Sequence, residues 1–243
     1  MNLIRIAMWS GPRNISTAMM RSWENRADTV VIDEPFYGPF LATSGENHPM
    51  KAAVIANQGQ EYEKVLDKLL APQADSVRIF YQKHMAHHML DMDFVNHHLI
   101  APFRHAFLIR DPKDVVRSYV RKYPDITPEA LGYGRQVEIF NQVKQLTNQQ
   151  PPVIESVDVL NQPEKTLQTL CAALEVPFDE AMLQWPPGYR DSDGVWASHW
   201  YNRVIESTGF KPYREKDTPL TDREAEVAKA CQDDYAFLKE FKI

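Results

Sequence analysis

Ile4, Ile6 and Met8 alternate with Arg5 and Ala7, and Trp9 follows, which is the two-residue period of a buried strand. Gly11-Pro12 breaks the run. Met19, Trp23 and Ala27 then recur at every fourth position, the spacing of a helix that Ser16 or Thr17 caps. The first stretch therefore predicts strand, tight loop, helix. β-Branched runs predict further strands at 29–32, 77–82 and 106–109, and a short fifth from 153 to near 158. A helix is predicted at 61–70, with Tyr62, Val65, Leu66 and Leu69 on its apolar face. Another follows Asp111-Pro112, an N-cap and first-turn proline, and buries Val115, Val116, Tyr119 and Val120. A longer helix is predicted at 127–148. Leu167, Leu170, Cys171 and Leu174 mark the next, which Asn161 and Glu164 open at capping-box spacing. Trp200, Tyr201 and Val204 continue as a helix up to Gly209, and a last helix starts at Thr221 with Glu224 three residues on. Residues 41–59 read as irregular. Strands alternate with helices, so the expected fold class is α/β, a three-layer sandwich around a mostly parallel sheet of about five strands.

Composition narrows the function. The chain has 243 residues, 44% hydrophobic and 25% charged, which suits one domain over residues 1–243 with an ample core. A formal net charge of −6 argues against a nucleic-acid partner, which calls for a strongly basic face. No apolar run approaches the roughly 18 residues that span a membrane. The first residues do not read as a signal peptide, since Arg5 interrupts a short apolar run. Cys171 and Cys231 suggest no disulfide framework. The expectation is a cytoplasmic protein with no membrane partner.

The loop between the first strand and helix carries the chemistry. Backbone N–H groups at such a loop favour an anion. Arg13 adds a charge, and Asn14, Ser16 and Thr17 add donors. A nucleoside-triphosphate loop would need a second glycine and a lysine where Ser16 and Thr17 stand. Arg110 at a strand end, with Ser118 on the following helix, either grips a second anion or pairs with Asp111 or Asp114. Asp33 and Glu34 end the second strand, where carboxylates face a ligand or a solvated turn. Phe36, Tyr37 and Phe40 form an aromatic loop that lines an acceptor pocket or simply packs. His84 sits where the third strand is expected to end, so a base there faces the ligand crevice. His87, His88, His97 and His98 match no metal-binding spacing and read as surface or packing residues, so no metal is expected.

These pieces together resemble the sulfotransferase family. Ser10-Gly11-Pro12-Arg13-Asn14-Ile15-Ser16-Thr17 is similar to its 5′-phosphosulfate loop, P-K/R-S-G-T-T. Arg110-Asp111-Pro112-Lys113-Asp114, with Ser118 eight residues after the arginine, resembles its 3′-phosphate motif. Gln82-Lys83-His84 resembles the K-T-H strand end that carries the family's base, and Asp158-Val159 with Pro163 its E-D-L…P segment. The resemblance runs to about Trp185. It implies a P-loop nucleotide hydrolase-like fold and 3′-phosphoadenosine 5′-phosphosulfate (PAPS) as donor to a small-molecule hydroxyl or amine. It also implies contacts from Gly11, Pro12, Arg13, Asn14, Ile15, Ser16, Thr17, Arg110 and Ser118, and His84 as base with Arg13 on the leaving group. The chain departs from the pattern at Ile15, where the family has glycine, and at Ala18 and Ser156, where its cytosolic members have aromatics. Gly194-Val195-Trp196 echoes a late family segment, so Trp196, with Arg190 supplying the missing charge, is expected at the donor. A phosphotransferase or a non-catalytic nucleotide-binding module on the same fold are the rival readings.

Overall fold

In the computed structural model, which describes residues 3–46, 48–215 and 218–243, one five-stranded sheet has the order β2-β3-β1-β4-β5. The strands are β1 (Ile4–Ser10), β2 (Thr29–Asp33), β3 (Ile79–Met85), β4 (Arg104–Ile109) and β5 (Val153–Glu155), and all four pairings are parallel. Side chains alternate across the sheet. Ile6, Met8, Tyr81, Ala106 and Leu108 face one side, under helices α1 (Ser16–Glu24) and α7 (Pro163–Ala173). Ala7, Trp9, Phe80, Phe107 and Ile109 face the other. That side is covered by α4 (Tyr62–Leu70), α5 (Pro112–Tyr119), α6 (Tyr133–Thr147), α8 (Asp222–Ala230) and α9 (Gln232–Lys239). The expected three-layer α/β sandwich is the observed fold. β1 lies at the centre, where the strand order turns, so a crevice opens beyond its carboxyl end.

Several boundaries differ from the sequence expectation. Residues 41–59 are largely helical: α2 (Tyr37–Ser44) and α3 (Lys51–Gln58) pack Tyr37, Phe40, Leu41 and Val54 against Trp196, Ala197 and Tyr201. Pro39 falls in the first turn of α2, where its missing N–H costs nothing. The predicted 127–148 helix is split by Gly132, whose φ of 72° lies in the left-handed region. Chain after Glu155 turns at once into a helix, Ser156–Asn161, so β5 does not reach Asp158. Asn161 does not form the expected capping box. Its Oδ1 accepts from the Tyr213 backbone N–H at 2.9 Å, while Thr221 and Glu224 do form theirs. No helix among the described residues is long and apolar enough to cross a membrane.

Candidate functional site

Five chain segments meet at the carboxyl ends of the strands around a cavity of about 550 Å³. A separate cavity of about 590 Å³ lies beyond Gly209–Lys211, but Lys211 is the one ionisable group among its lining residues. The chemistry therefore points to the first.

The loop after β1 forms its floor. Asn14 is fully buried and donates to the Leu108 carbonyl at 3.2 Å, which ties the loop to β4. Gly11 passes so close to the Leu131 carbonyl oxygen that a Cβ there would collide with it. Asn14 and Gly11 thus shape the loop from behind and do not line the cavity. Arg13 and Ile15 both hold left-handed backbone, with φ of 62° and 60°. At a β-branched residue this conformation is strained, and it stands where the family motif has glycine. The turn leaves Ile15 as the N-cap of α1, with no side chain capping the helix. Its first amides have no intrahelical partner, and Ser16, Thr17 and Ala18 line the cavity.

Cationic groups gather over this helix end. Arg13 Nε donates to Ser118 Oγ at 3.0 Å, and Arg110 Nη1 donates to the Arg13 carbonyl at 2.9 Å. Tyr133 steadies the strand end by donating to the Arg110 carbonyl at 2.6 Å. Arg110 also lies 3.5 Å from Asp114, the pairing expected as one of its two roles, while its buried Nε has no partner. Burial, then Arg110, then Arg203 lower the Arg13 pKa from its ordinary value. Arg203 comes from the short helix Asn202–Ile205, and no sequence motif pointed to it. Arg190, expected to supply that charge, instead donates to the Pro186 carbonyl and does not line the cavity.

The other end of the cavity is aromatic and carboxylic. Glu34 follows β2 with a left-handed φ of 40° and lines the cavity beside Tyr37, Phe40 and His88. Lys83 Nζ donates to Glu34 Oε1 at 2.6 Å, to Asp33 Oδ1 at 2.8 Å and to the Tyr201 hydroxyl at 2.7 Å. Burial opposes the lysine's charge, but Asp33 and Glu34 raise its pKa well above the ordinary value. The Glu34 pKa is raised, chiefly by burial and against the pull of Lys83. His88 stacks on Tyr37 with ring centroids 4.8 Å apart, and burial holds it neutral. Trp196, expected at the donor, packs edge-on against Tyr37 and donates to the Tyr201 hydroxyl, so it belongs to this end.

His84 and Phe36 do not reach the cavity. β3 runs on to Met85, so alternation continues through the segment where the strand was expected to have ended. Lys83 and Met85 face the cavity, and His84 faces the opposite layer. There it pairs in register with Trp9 and stacks on it at 4.6 Å, with Phe36 at 5.7 Å. Nε2 meets Gln82 Oε1 at 3.0 Å, and burial, then His105, pushes the His84 pKa down to about 3. His97 and His98 are exposed, and His87 and His88 pack against Phe40 while also lining the cavity. Among the described residues no three His, Cys, Asp or Glu side chains come together as a metal site.

Comparison with known proteins bears on the family and the fold. A family model described as a sulfotransferase domain matches residues 4–240. The branched-chain-amino-acid aminotransferase-like protein 1 of Arabidopsis thaliana is 37% identical over 205 residues, covering 84% of this chain. The chain spans 36% of that relative's length. The sulfotransferase domain from the curacin biosynthetic pathway has a TM-score of 0.56 at 17% identity, covering 95% of this chain and 98% of that one. A sulfotransferase from Alicyclobacillus acidocaldarius has a TM-score of 0.58 at 10% identity, covering 99% and 96%. At these identities the two structures speak to the fold alone.

Proposed function

The chain belongs to the sulfotransferase domain family, and from that premise we propose that it transfers a sulfuryl group from PAPS to the hydroxyl or amine of a small-molecule acceptor. The observation that carries this reading is the convergence of Arg13, Arg110 and Arg203, with Ser118, on the uncapped N-terminus of α1. Like charges held together around free amides call for a polyanion. PAPS fits, because its phosphosulfate and its 3′-phosphate need two neighbouring anion sites. The loop amides with Ser16 and Thr17 suit the first, and Arg110 with Ser118 the second. Arg110 lines the cavity, so its guanidinium is placed for the 3′-phosphate.

When bound, PAPS supplies an activated sulfuryl group whose leaving phosphate gains charge during transfer. Arg13 and the helix N-terminus neutralise that charge. By analogy with phosphoryl transfer, positioning does most of the remaining work. The aromatic end of the cavity holds the acceptor, with Tyr37, Phe40 and Trp196 supplying flat apolar walls. Glu34 takes the acceptor's proton. It lines the cavity, burial raises its proton affinity, and Lys83 fixes one of its oxygens. A sulfuryl group carries less charge than a γ-phosphate, so the arginines suffice without a metal ion.

A kinase on this loop would need a lysine where Thr17 stands. Thermal unfolding separates the two readings. 3′-Phosphoadenosine 5′-phosphate (PAP) is expected to raise the melting temperature and ATP with Mg²⁺ is not, since only PAP engages both anion sites. Equal stabilisation by ATP with Mg²⁺ would favour the kinase.

A further inference from the structure

Lys83, Asp33, Glu34 and Tyr201 form a closed hydrogen-bond system at the wall of the cavity. Lys83 is 1% exposed, and all three of its protons are committed, one each to Asp33, Glu34 and Tyr201. The Tyr201 hydroxyl donates to Asp33 Oδ2 at 2.6 Å and accepts from Lys83 and from Trp196 Nε1 at 3.1 Å. Its oxygen is therefore saturated. Asp33 takes hydrogen bonds from Lys83, from Tyr201 and from the Gly194 backbone N–H at 3.2 Å. Of the two carboxylates, Glu34 is the one that lines the cavity, and its bond is to Lys83.

We infer that the Tyr201 hydroxyl is a positioning group, which holds Lys83 divided between Asp33 and Glu34 and thereby sets how readily Glu34 accepts a proton. This rests on the reading of Glu34 as the proton acceptor. Two carboxylates sharing one ammonium compete for it, and a neutral donor on one relieves the competition. Tyr201 is that donor. It stays a phenol, because burial and then Asp33 raise its pKa well above the ordinary value. The other titratable groups around Glu34 do not play this part. Tyr37 on α2 and Tyr119 on α5 stay protonated, and His88 is held neutral.

Two substitutions move the Glu34 proton affinity in opposite directions. Tyr201→Phe removes a donor from the carboxylate pair, so the pair binds its first proton at higher pH. Asp33→Asn removes the competitor, so Lys83 turns undivided to Glu34, whose proton affinity falls. Asp33 is among the groups that now raise it. The readout is the side-chain carboxyl carbon resonance of Glu34 in protein labelled with ¹³C-glutamate, titrated with pH and assigned by its loss in Glu34→Gln. The expected result is an upward shift of about half a unit or more for Tyr201→Phe and a downward shift of about that size for Asp33→Asn. Midpoints that stay put, or that move together, would overturn the inference. Should Tyr201→Phe fail to melt cooperatively, an unchanged midpoint in Asp33→Asn still overturns the inference, since it means that Lys83 is not shared. The measurement uses neither donor nor acceptor. Failure of the sulfotransferase reading shows separately, as absent PAP binding or as Glu34→Gln retaining turnover.

Discussion

Replacing Arg203 by Gln separates a ligand-binding charge from a structural one, because the two roles have opposite signs in stability. Arg203 is solvent-exposed, and it depresses the Arg13 pKa through repulsion, after burial and Arg110. Removing one exposed like charge relieves at most about 0.5 kcal/mol. For a domain of this size that is a rise in melting temperature of about 1–2 °C without ligand. A guanidinium on a phosphate contributes about 1.5–3 kcal/mol, and exposure puts Arg203 at the low end. PAP affinity should therefore fall about tenfold. The loss should shrink as salt is raised, since an exposed charge is screened. Scanning fluorimetry of the free protein, with calorimetric titration of PAP at two ionic strengths, reads both effects. A lower melting temperature with unchanged PAP affinity would refute the argument and make Arg203 part of the scaffold.

Glu34→Gln should lower turnover by about 10²-fold or more while PAP binds normally, whereas His84→Asn, which lies off the cavity, should change stability and leave the chemical step within a few-fold. PAPS turnover with a panel of phenols, alcohols and amines checks both, and a dead His84→Asn that still binds PAP and melts normally would restore the histidine as base. Gly11→Ala should drive the loop off the Leu131 carbonyl, costing about 2 kcal/mol or more, and weaken PAP with it, which urea unfolding and calorimetry measure. Stability should also depend on pH through His84, His88 and His105, which are buried with lowered pKa values and bind protons only on unfolding. Their contribution is complete above the unfolded value of 6.5 and is lost as pH falls below it, by about 1.4 kcal/mol per pH unit for each histidine. A urea midpoint that is flat between pH 5 and 7 would contradict this.

The sheet and the strand–loop–helix at its centre were legible in the sequence because both are local. A two-residue period followed by Gly11-Pro12 and a four-residue period needs no distant partner to be read. Arg13, Ser16, Arg110 and Ser118 all line the cavity, and each belongs to the loop or the helix that directly follows a strand. The face that His84 takes was not legible because the period of a strand is two. Ending β3 three residues early hides which face position 84 takes, and a shift of one residue exchanges the faces. Phe36 went to the core with it. Helices α2 and α3 were missed because Gly38-Pro39 and Gly45 resemble loop punctuation. Their order comes from packing on Trp196 and Tyr201, which lie more than 130 residues further on. Arg203 and the Lys83–Tyr201 contact are likewise tertiary. Nothing near either residue in the sequence announces its partner.

The left-handed turns at Arg13 and Ile15 bear on how quickly a ligand is captured. The bent loop is anchored from behind by Asn14 and by the packing of Gly11 on Leu131, so its shape is set before any ligand arrives. An arriving anion then needs no backbone rearrangement before it docks. Arg121, Lys122, Arg203, Lys211 and Arg214 line the cavity, and under the proposed function they would steer that anion although the chain as a whole carries a net charge of −6. The association rate constant should accordingly be set by diffusion and ionic strength, with a single kinetic phase in stopped-flow and no slow isomerisation behind it. Strain at Ile15 thus appears as lost folding stability, while the encounter itself stays fast.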